Sequence, residues 1–307
     1  MRRDFIAQVL IEMERDPSIV FLTGDLGFNA LEKIKEQFPN RFLNVGIAEQ
    51  HMVGMASGLA LEGKKVIVYS IASFATMRPY EQIRNDVCYH NLDVKIVGVG
   101  GGYNYANHGI THHTVEDVAL MNALPHMYVL CPGYSWEARE AAKAMVRHTG
   151  PAYIRLGLSP GIAYEKKHFI FSLGKGFVVR EGSDIVLVST GNVLDVVQAT
   201  AALIEKKHKL SVCVLSMPSL NPFDGKLLLK YARKAKGIFT IEEHSTTGGL
   251  GAIVASILFT HGVEKKAFHA FGFPPESFLK AVGDRNYLLN EVGLEANKLA
   301  HDIARYL

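Results

Sequence analysis

Short runs of β-branched and aliphatic residues return along this chain with a helical pattern between each pair, and that alternation limits the fold more than any other feature. Strands are expected at 18–23, 65–70, 94–99, 127–131 and 152–156, with helices at 32–37, 48–61, 74–89, 114–123 and 135–147. The run from Val94 to Val99 is almost continuously apolar instead of alternating. Such strands belong to parallel sheets covered by helices on both faces. Right-handed crossovers then make the unit doubly wound.

The texture breaks over residues 157–173, where Pro160, two glycines and the run Lys166-Lys167-His168 show no period. This stretch is the expected domain connection. Alternation resumes with strands at 184–189, 210–216 and 238–241, helices at 194–206, 224–234 and 250–259, and a last helix at 294–307. The expected architecture is therefore α/β throughout. A doubly wound domain over 1–160 is joined through 161–174 to a smaller α/β domain over 175–307. A chain of 307 residues, 48% of them hydrophobic, can fill two ordinary cores.

Several classes are disfavoured. No uncharged apolar run is long enough to cross a bilayer, and the start Met-Arg-Arg-Asp-Phe lacks the apolar centre of a signal peptide. A net charge of +3, without basic runs or zinc-finger spacing, does not point to nucleic acid. Cys88, Cys131 and Cys213 are few, odd in number and set among apolar residues. They read as buried free thiols in a reducing cytosol, so a cytoplasmic location is expected.

Two segments carry chemistry. In the first, a strand-like Phe-Leu-Asn-Val-Gly enters a helix near Ala48, with Glu49 and Gln50 in its first turn. Free N–H groups and the helix dipole favour a carboxylate there. Gly54, Ala56, Ser57, Gly58 and Ala60 make the same helix a surface of close approach. A carboxylate aimed into such a surface needs a hydrogen-bond partner, and a ligand nitrogen would serve. The second segment runs from Gly100 to Asp117. No helix starts soon after its glycines, so the dinucleotide fingerprint fails, and the glycines are expected to let a loop pass close to a ligand. His108, His112 and His113 lack cysteine or carboxylate support at ligand spacing, which disfavours zinc. Thr114, with Asp117 three residues on, is expected to cap a helix. Glu242, Glu243 and His244 read as a strand end before a glycine-rich helix start, and Trp136 as packing.

The stretch Asn-Val-Gly-Ile-Ala-Glu-Gln-His-Met-Val-Gly-Met-Ala-Ser-Gly-Leu-Ala-Leu resembles the pyrimidine-binding segment of transketolases and deoxyxylulose-phosphate synthases. The resemblance covers nearly the whole chain, including the segments around Asp25, Phe74, His112 and Glu242. It implies thiamine diphosphate as cofactor. Glu49 would bond a ring nitrogen of the aminopyrimidine and favour the tautomer that takes the thiazolium proton, as tuned carboxyls share protons elsewhere. Phe74 and Ile71 would hold the ring, and Asp25 lies in the matching turn after the first strand. His112 and His108 would face the sugar, with Asn29 and Arg3 (Arg2 if the register slips by one) as further substrate contacts.

Three departures from the family pattern bear on specificity. His108 stands in place of an aspartate, Gly100 in place of a histidine and Leu158 in place of a phosphate-binding arginine, with Arg155 three residues away. Loss of a bidentate guanidinium suggests a modified or unphosphorylated sugar. The Gly-Asp-Gly motif that holds the diphosphate and its Mg2+ or Ca2+ in this family is absent. The resemblance therefore implies a partner, an N-terminal transketolase subunit, in an α2β2 assembly, with no metal ligand on this chain. Its activity would be transfer of a two-carbon ketol unit from a ketose to an aldose. The rival readings are the beta subunit of a 2-oxo acid dehydrogenase and a non-catalytic partner subunit.

Overall fold

A computed structural model describes residues 1–157, 170–264, 267–274 and 278–307. The first half contributes strands β1 (Ile19–Thr23), β2 (Phe42–Asn44), β3 (Lys65–Ile71), β4 (Val94–Val99), β5 (Tyr128–Leu130) and β6 (Ala152–Leu156). Its helices are α1 (Arg2–Arg15), α2 (Glu32–Gln37), α3 (Glu49–Leu61), α4 (Ala72–Thr76), α5 (Tyr80–Gln82), α6 (Asp117–Asn122) and α7 (Ser135–Arg147). The second half contributes β7 (Phe177–Arg180), β8 (Ile185–Ser189), β9 (Val212–Ser216), β10 (Ser219–Asn221), β11 (Gly237–Ser245) and β12 (Ala267–Phe273). Its helices are α8 (Leu194–His208), α9 (Gly225–Ala232), α10 (Leu250–Thr260), α11 (Arg285–Glu291) and α12 (Ala296–Arg305).

Two sheets organise the chain. The first has the order β10-β5-β6-β4-β3-β1-β2, parallel except for β10, and the second the order β12-β11-β8-β9-β7, parallel except for the edge strand β7. Every residue of β1, β4, β6, β8 and β9 is buried. This is the expected doubly wound α/β architecture, with one addition. β10 belongs to the second half yet pairs antiparallel with β5, so the first sheet is completed by the second half. One apolar cluster likewise runs across the boundary, from Val66, Ile96 and Met121 to Val188, Leu215 and Val254.

Two expected helices are shorter than their periodicity suggested. Residues 74–89 do not form one helix: α4 ends at Thr76, α5 begins after Pro79, and a π-helical turn follows over Ile83–Cys88. Pro79 offers no N–H and disfavours the α conformation at Arg78, so the ladder breaks there. The helix expected from Thr114 starts at Asp117, because Thr114 is held in a short antiparallel bridge to Gly102. Thr114 therefore caps nothing: its hydroxyl donates to the His112 carbonyl. Most of the expected domain connection, including Leu158, Pro160 and Lys166-Lys167-His168, lies outside the described residues.

Candidate active site

In an open parallel sheet, ligands bind outside the carboxyl ends of the strands, where the winding reverses. Here the chain passes from β1 out to β2 and then back to β3, so the reversal falls between β1 and β3. Glu49 opens α3 just beyond β2, and Ser70 sits near the end of β3. The Glu49 side chain is only 2% exposed. Its Oε1 accepts from Ser70 Oγ at 3.2 Å, and its Oε2 from Arg78 Nη1 at 2.7 Å. The buried carboxylate thus has the partners that burial demands.

Arg78 reaches Glu49 because the chain breaks at Pro79. Held in a turn instead of a helix, it folds back over α4, with its guanidinium carbon 4.0 Å from the centroid of the Phe74 ring. The His112 ring meets Phe74 edge-on at 5.1 Å, and Ser73 Oγ donates to the Thr111 carbonyl at 3.1 Å, tying α4 to the histidine loop. His108 lies 4.9 Å from His112, and Tyr105 lies near both. Glu49, Arg78, Phe74, His112, His108 and Tyr105 therefore form one continuous line. Burial lowers the pKa of His112, and the neighbouring His108, His113 and Arg78 lower it further. The ring is therefore neutral near pH 7, able to donate from one nitrogen and accept at the other. Its Nδ1 is 2.9 Å from Thr111 Oγ1.

The other expected site residues are placed less centrally. Asp25 is exposed and clasped to Asn44: its N–H donates to Asn44 Oδ1 at 3.0 Å, and Asn44 Nδ2 donates back at 2.8 Å, locking the ends of β1 and β2 together. Asn29 is exposed, and its N–H donates to Glu32 Oε1 at 2.7 Å, beside α2. Ile71 ends β3 half-buried and packs on the apolar cluster under α1 and α7. Arg3 points to solvent, whereas Arg2 is half-buried beside Tyr69 and Tyr105. Burial raises both phenols, and the Arg2 guanidinium pulls them partly back.

The junction between the halves corrects the expected role of the glycines after β4 and bears out the reading of residues 242–244 as a strand end before a helix start. The glycines after β4 make room for protein side chains. A Cβ on Gly101 would lie 2.1 Å from Arg155 Nε, and one on Gly102, whose φ is +69°, would lie 2.6 Å from the Glu243 carboxyl. Arg155 is buried. Its Nη2 donates to the carbonyls of Thr114 and Glu243 at 2.7 and 2.9 Å, and its Nε lies 3.1 Å from Asp117 Oδ2. It is a structural post and cannot serve as the missing phosphate arginine. Glu243 accepts from the Tyr103 N–H at 2.8 Å and from Arg285 Nη2 at 2.6 Å. Glu242 accepts from the N–H groups of Leu250 and Gly251 at 2.6 and 2.8 Å, closing the start of α10. His113 turns inward, its Nε2 3.0 Å from the Ala106 carbonyl oxygen. Among the described residues, no group of three or more His, Cys, Asp or Glu side chains is placed to hold a metal ion, and no helix is long and apolar enough to cross a membrane.

Sequence reasoning missed Arg78, Ser70 and Tyr105. Pro79 was the available signal for Arg78, since it stops the helix that would otherwise carry that arginine outward.

Comparisons with known proteins agree with this fold. Residues 3–159 match the family of the transketolase pyrimidine binding domain and residues 174–298 that of the transketolase C-terminal domain. The chain is 35% identical over 298 residues to an apulose-4-phosphate transketolase subunit of Phocaeicola vulgatus, covering 96% of this chain and 93% of that one. It is 35% identical over 259 residues to a 6-deoxy-6-sulfo-D-fructose transketolase subunit of a Clostridium species, covering 83% and 80%. Among solved structures, a split-gene transketolase described as an inactive β4 tetramer superposes with a TM-score of 0.87 at 32% identity, over 100% of this chain and 97% of that one.

Proposed function

This chain belongs to the transketolase family, and on that premise we propose that it is the beta-type subunit of a split, thiamine-diphosphate-dependent transketolase, active only beside a partner that binds the diphosphate. Thiamine diphosphate, when bound, supplies the electron sink that lets a two-carbon ketol unit leave a ketose and join an aldose. The observation that carries the reading is Glu49: a buried carboxylate at the switch point of the sheet, bonded by the side chains of Ser70 and Arg78, the latter lying on the Phe74 ring. These residues fit an aminopyrimidine. Glu49 would share a proton with a ring nitrogen, and Phe74 would offer a flat apolar face. Ile71 and Asp25 would complete the seat at the ends of β3 and β1. His112 would exchange protons with substrate oxygens, helped by His108, with Arg2 or Arg3 and Asn29 as outer substrate contacts.

Support for a partner comes from two sides. The sequence has no Gly-Asp-Gly motif for the diphosphate and its Mg2+ or Ca2+, and relatives that match over most of their length include chains named as subunits. The split-gene neighbour, made of β chains alone, is described as inactive. We place the chain in an α2β2 assembly acting in carbohydrate metabolism in the cytoplasm. A modified sugar is favoured as substrate: relatives are named for apulose-4-phosphate and a sulfofructose, and Arg155 is committed to the junction.

The test is a substrate panel on the complex with the diphosphate-binding partner, saturated with thiamine diphosphate and Mg2+. Ketol transfer from sulfonated, branched or unphosphorylated ketoses is expected. A strong preference for ordinary pentose phosphates would remove the modified-sugar part. Decarboxylation of a 2-oxo acid without ketol transfer would replace the whole reading by the dehydrogenase one.

A further inference from the structure

The Arg78 guanidinium meets the two requirements that the proposed seat makes of an aminopyrimidine. It is flat and lies on Phe74 at 4.0 Å, and it donates to Glu49 at 2.7 Å. It also walls the cavity of about 380 Å³ that opens onto Glu49 between Ile47, Ala48, Gln50 and His51. The side chain is nevertheless 45% exposed, whereas its partner carboxylate is 2% exposed. The buried member is fixed by the fold, and the other can swing into solvent about the turn at Pro79. A guanidinium is the side chain best suited to such a post, because it is planar, always charged and weakly hydrated.

We propose that Arg78 is a latch that occupies the aminopyrimidine seat of the cofactor-free protein and must leave Glu49 and Phe74 for the cofactor to enter. The proposal rests on the reading of Glu49 and Phe74 given above. Two consequences follow from the same contacts. Without cofactor, the latch spares the chain a buried carboxylate paired only with the Ser70 hydroxyl. With cofactor, the guanidinium contacts must be broken first, so the latch lowers cofactor affinity by the strength of one charge-assisted hydrogen bond and one cation–π contact. Arg78 is in this sense a positioning residue whose effect is opposite in the empty and loaded states.

The sign of that effect is the test. The wild-type complex and the Arg78→Met complex are stripped of cofactor, and thiamine diphosphate with Mg2+ is titrated calorimetrically. Melting temperatures are recorded with and without it. The latch predicts that R78M binds thiamine diphosphate about tenfold or more tightly than wild type, while melting at a lower temperature when empty. Weaker binding by R78M would show that Arg78 supports Glu49 in the loaded site and would overturn the latch. The Arg78→Lys complex, which keeps the charge but loses the planar fork, is expected to fall between the two and serves if R78M does not fold. An R78K affinity below that of wild type would equally overturn the latch. Failure of the wild-type complex to bind thiamine diphosphate would instead remove the functional reading on which the latch depends.

Discussion

Arg155 and Asp117 form an ion pair sealed inside the protein, Nε to Oδ2 at 3.1 Å, with side chains 5% and 0% exposed. Tyr153 donates to the same carboxylate oxygen, and Arg155 goes on to bind carbonyls on both sides of the junction between the halves. Breaking a buried pair by removing one member leaves an uncompensated charge. Arg155→Met should therefore cost about 3–5 kcal/mol of unfolding free energy in urea denaturation. The double variant with Asp117→Asn should cost less than R155M alone. A double variant as unstable as the sum of its parts would show that the pair is not the post described.

His244 makes stability depend on acid. Its Nδ1 lies 2.7 Å from the Ser245 carbonyl oxygen and its Nε2 accepts from the Ala119 N–H at 3.4 Å, so both nitrogens are engaged by the neutral ring. Burial, with the charge of Arg155 nearby, pushes its pKa down from 6.5 to about 4. Between those values the unfolded chain binds a proton that the folded chain refuses, so this residue's contribution is intact above pH 6.5 and is lost as pH falls towards 4. At pH 5 the loss is about 2 kcal/mol. Burial shifts the neighbouring Glu242 the other way, to about 7, which opposes this slope in wild type. Comparison with His244→Gln at each pH leaves the histidine as the difference. The stability gap between wild type and H244Q should narrow by about 2 kcal/mol from about pH 7 to about pH 5, and a constant gap would refute the assignment.

His112 should shape the acid limb of turnover. Because burial and then His108, His113 and Arg78 lower its pKa, the neutral ring persists below pH 6.5. Transfer by the complex should fall only as pH drops below that point. His112→Asn should reduce kcat by about 100-fold or more and abolish this limb, with the melting temperature nearly unchanged. An acid limb that survives in H112N would place the titrating group elsewhere.

The sequence displayed the architecture well where strands are wholly buried: β1, β8 and β9 are apolar except for a terminal Thr or Ser, and β4 and β6 are each interrupted by a single charged residue, Lys95 and Arg155. β10 and β7 were not legible. They span three and four residues and pair antiparallel at sheet edges, a choice made by tertiary contacts. The need of Glu49 for a partner could be argued from the small residues that follow it. That the partners in this chain are Ser70 and Arg78 could not, since each is more than twenty residues away in sequence. Arg155 illustrates the converse. In the sequence it stands only as an arginine three residues from the family's phosphate position, and the packed junction reveals it as a fully enclosed cation.

The central claim is that Glu49 activates thiamine diphosphate across the interface with a partner chain. It is tested most directly by the rate of two-carbon transfer from a ketose donor in the reconstituted complex, wild type against Glu49→Gln, with cofactor binding confirmed in both. The account predicts a loss of about 100-fold or more in kcat for E49Q with the cofactor still bound. Undiminished transfer by E49Q would contradict it.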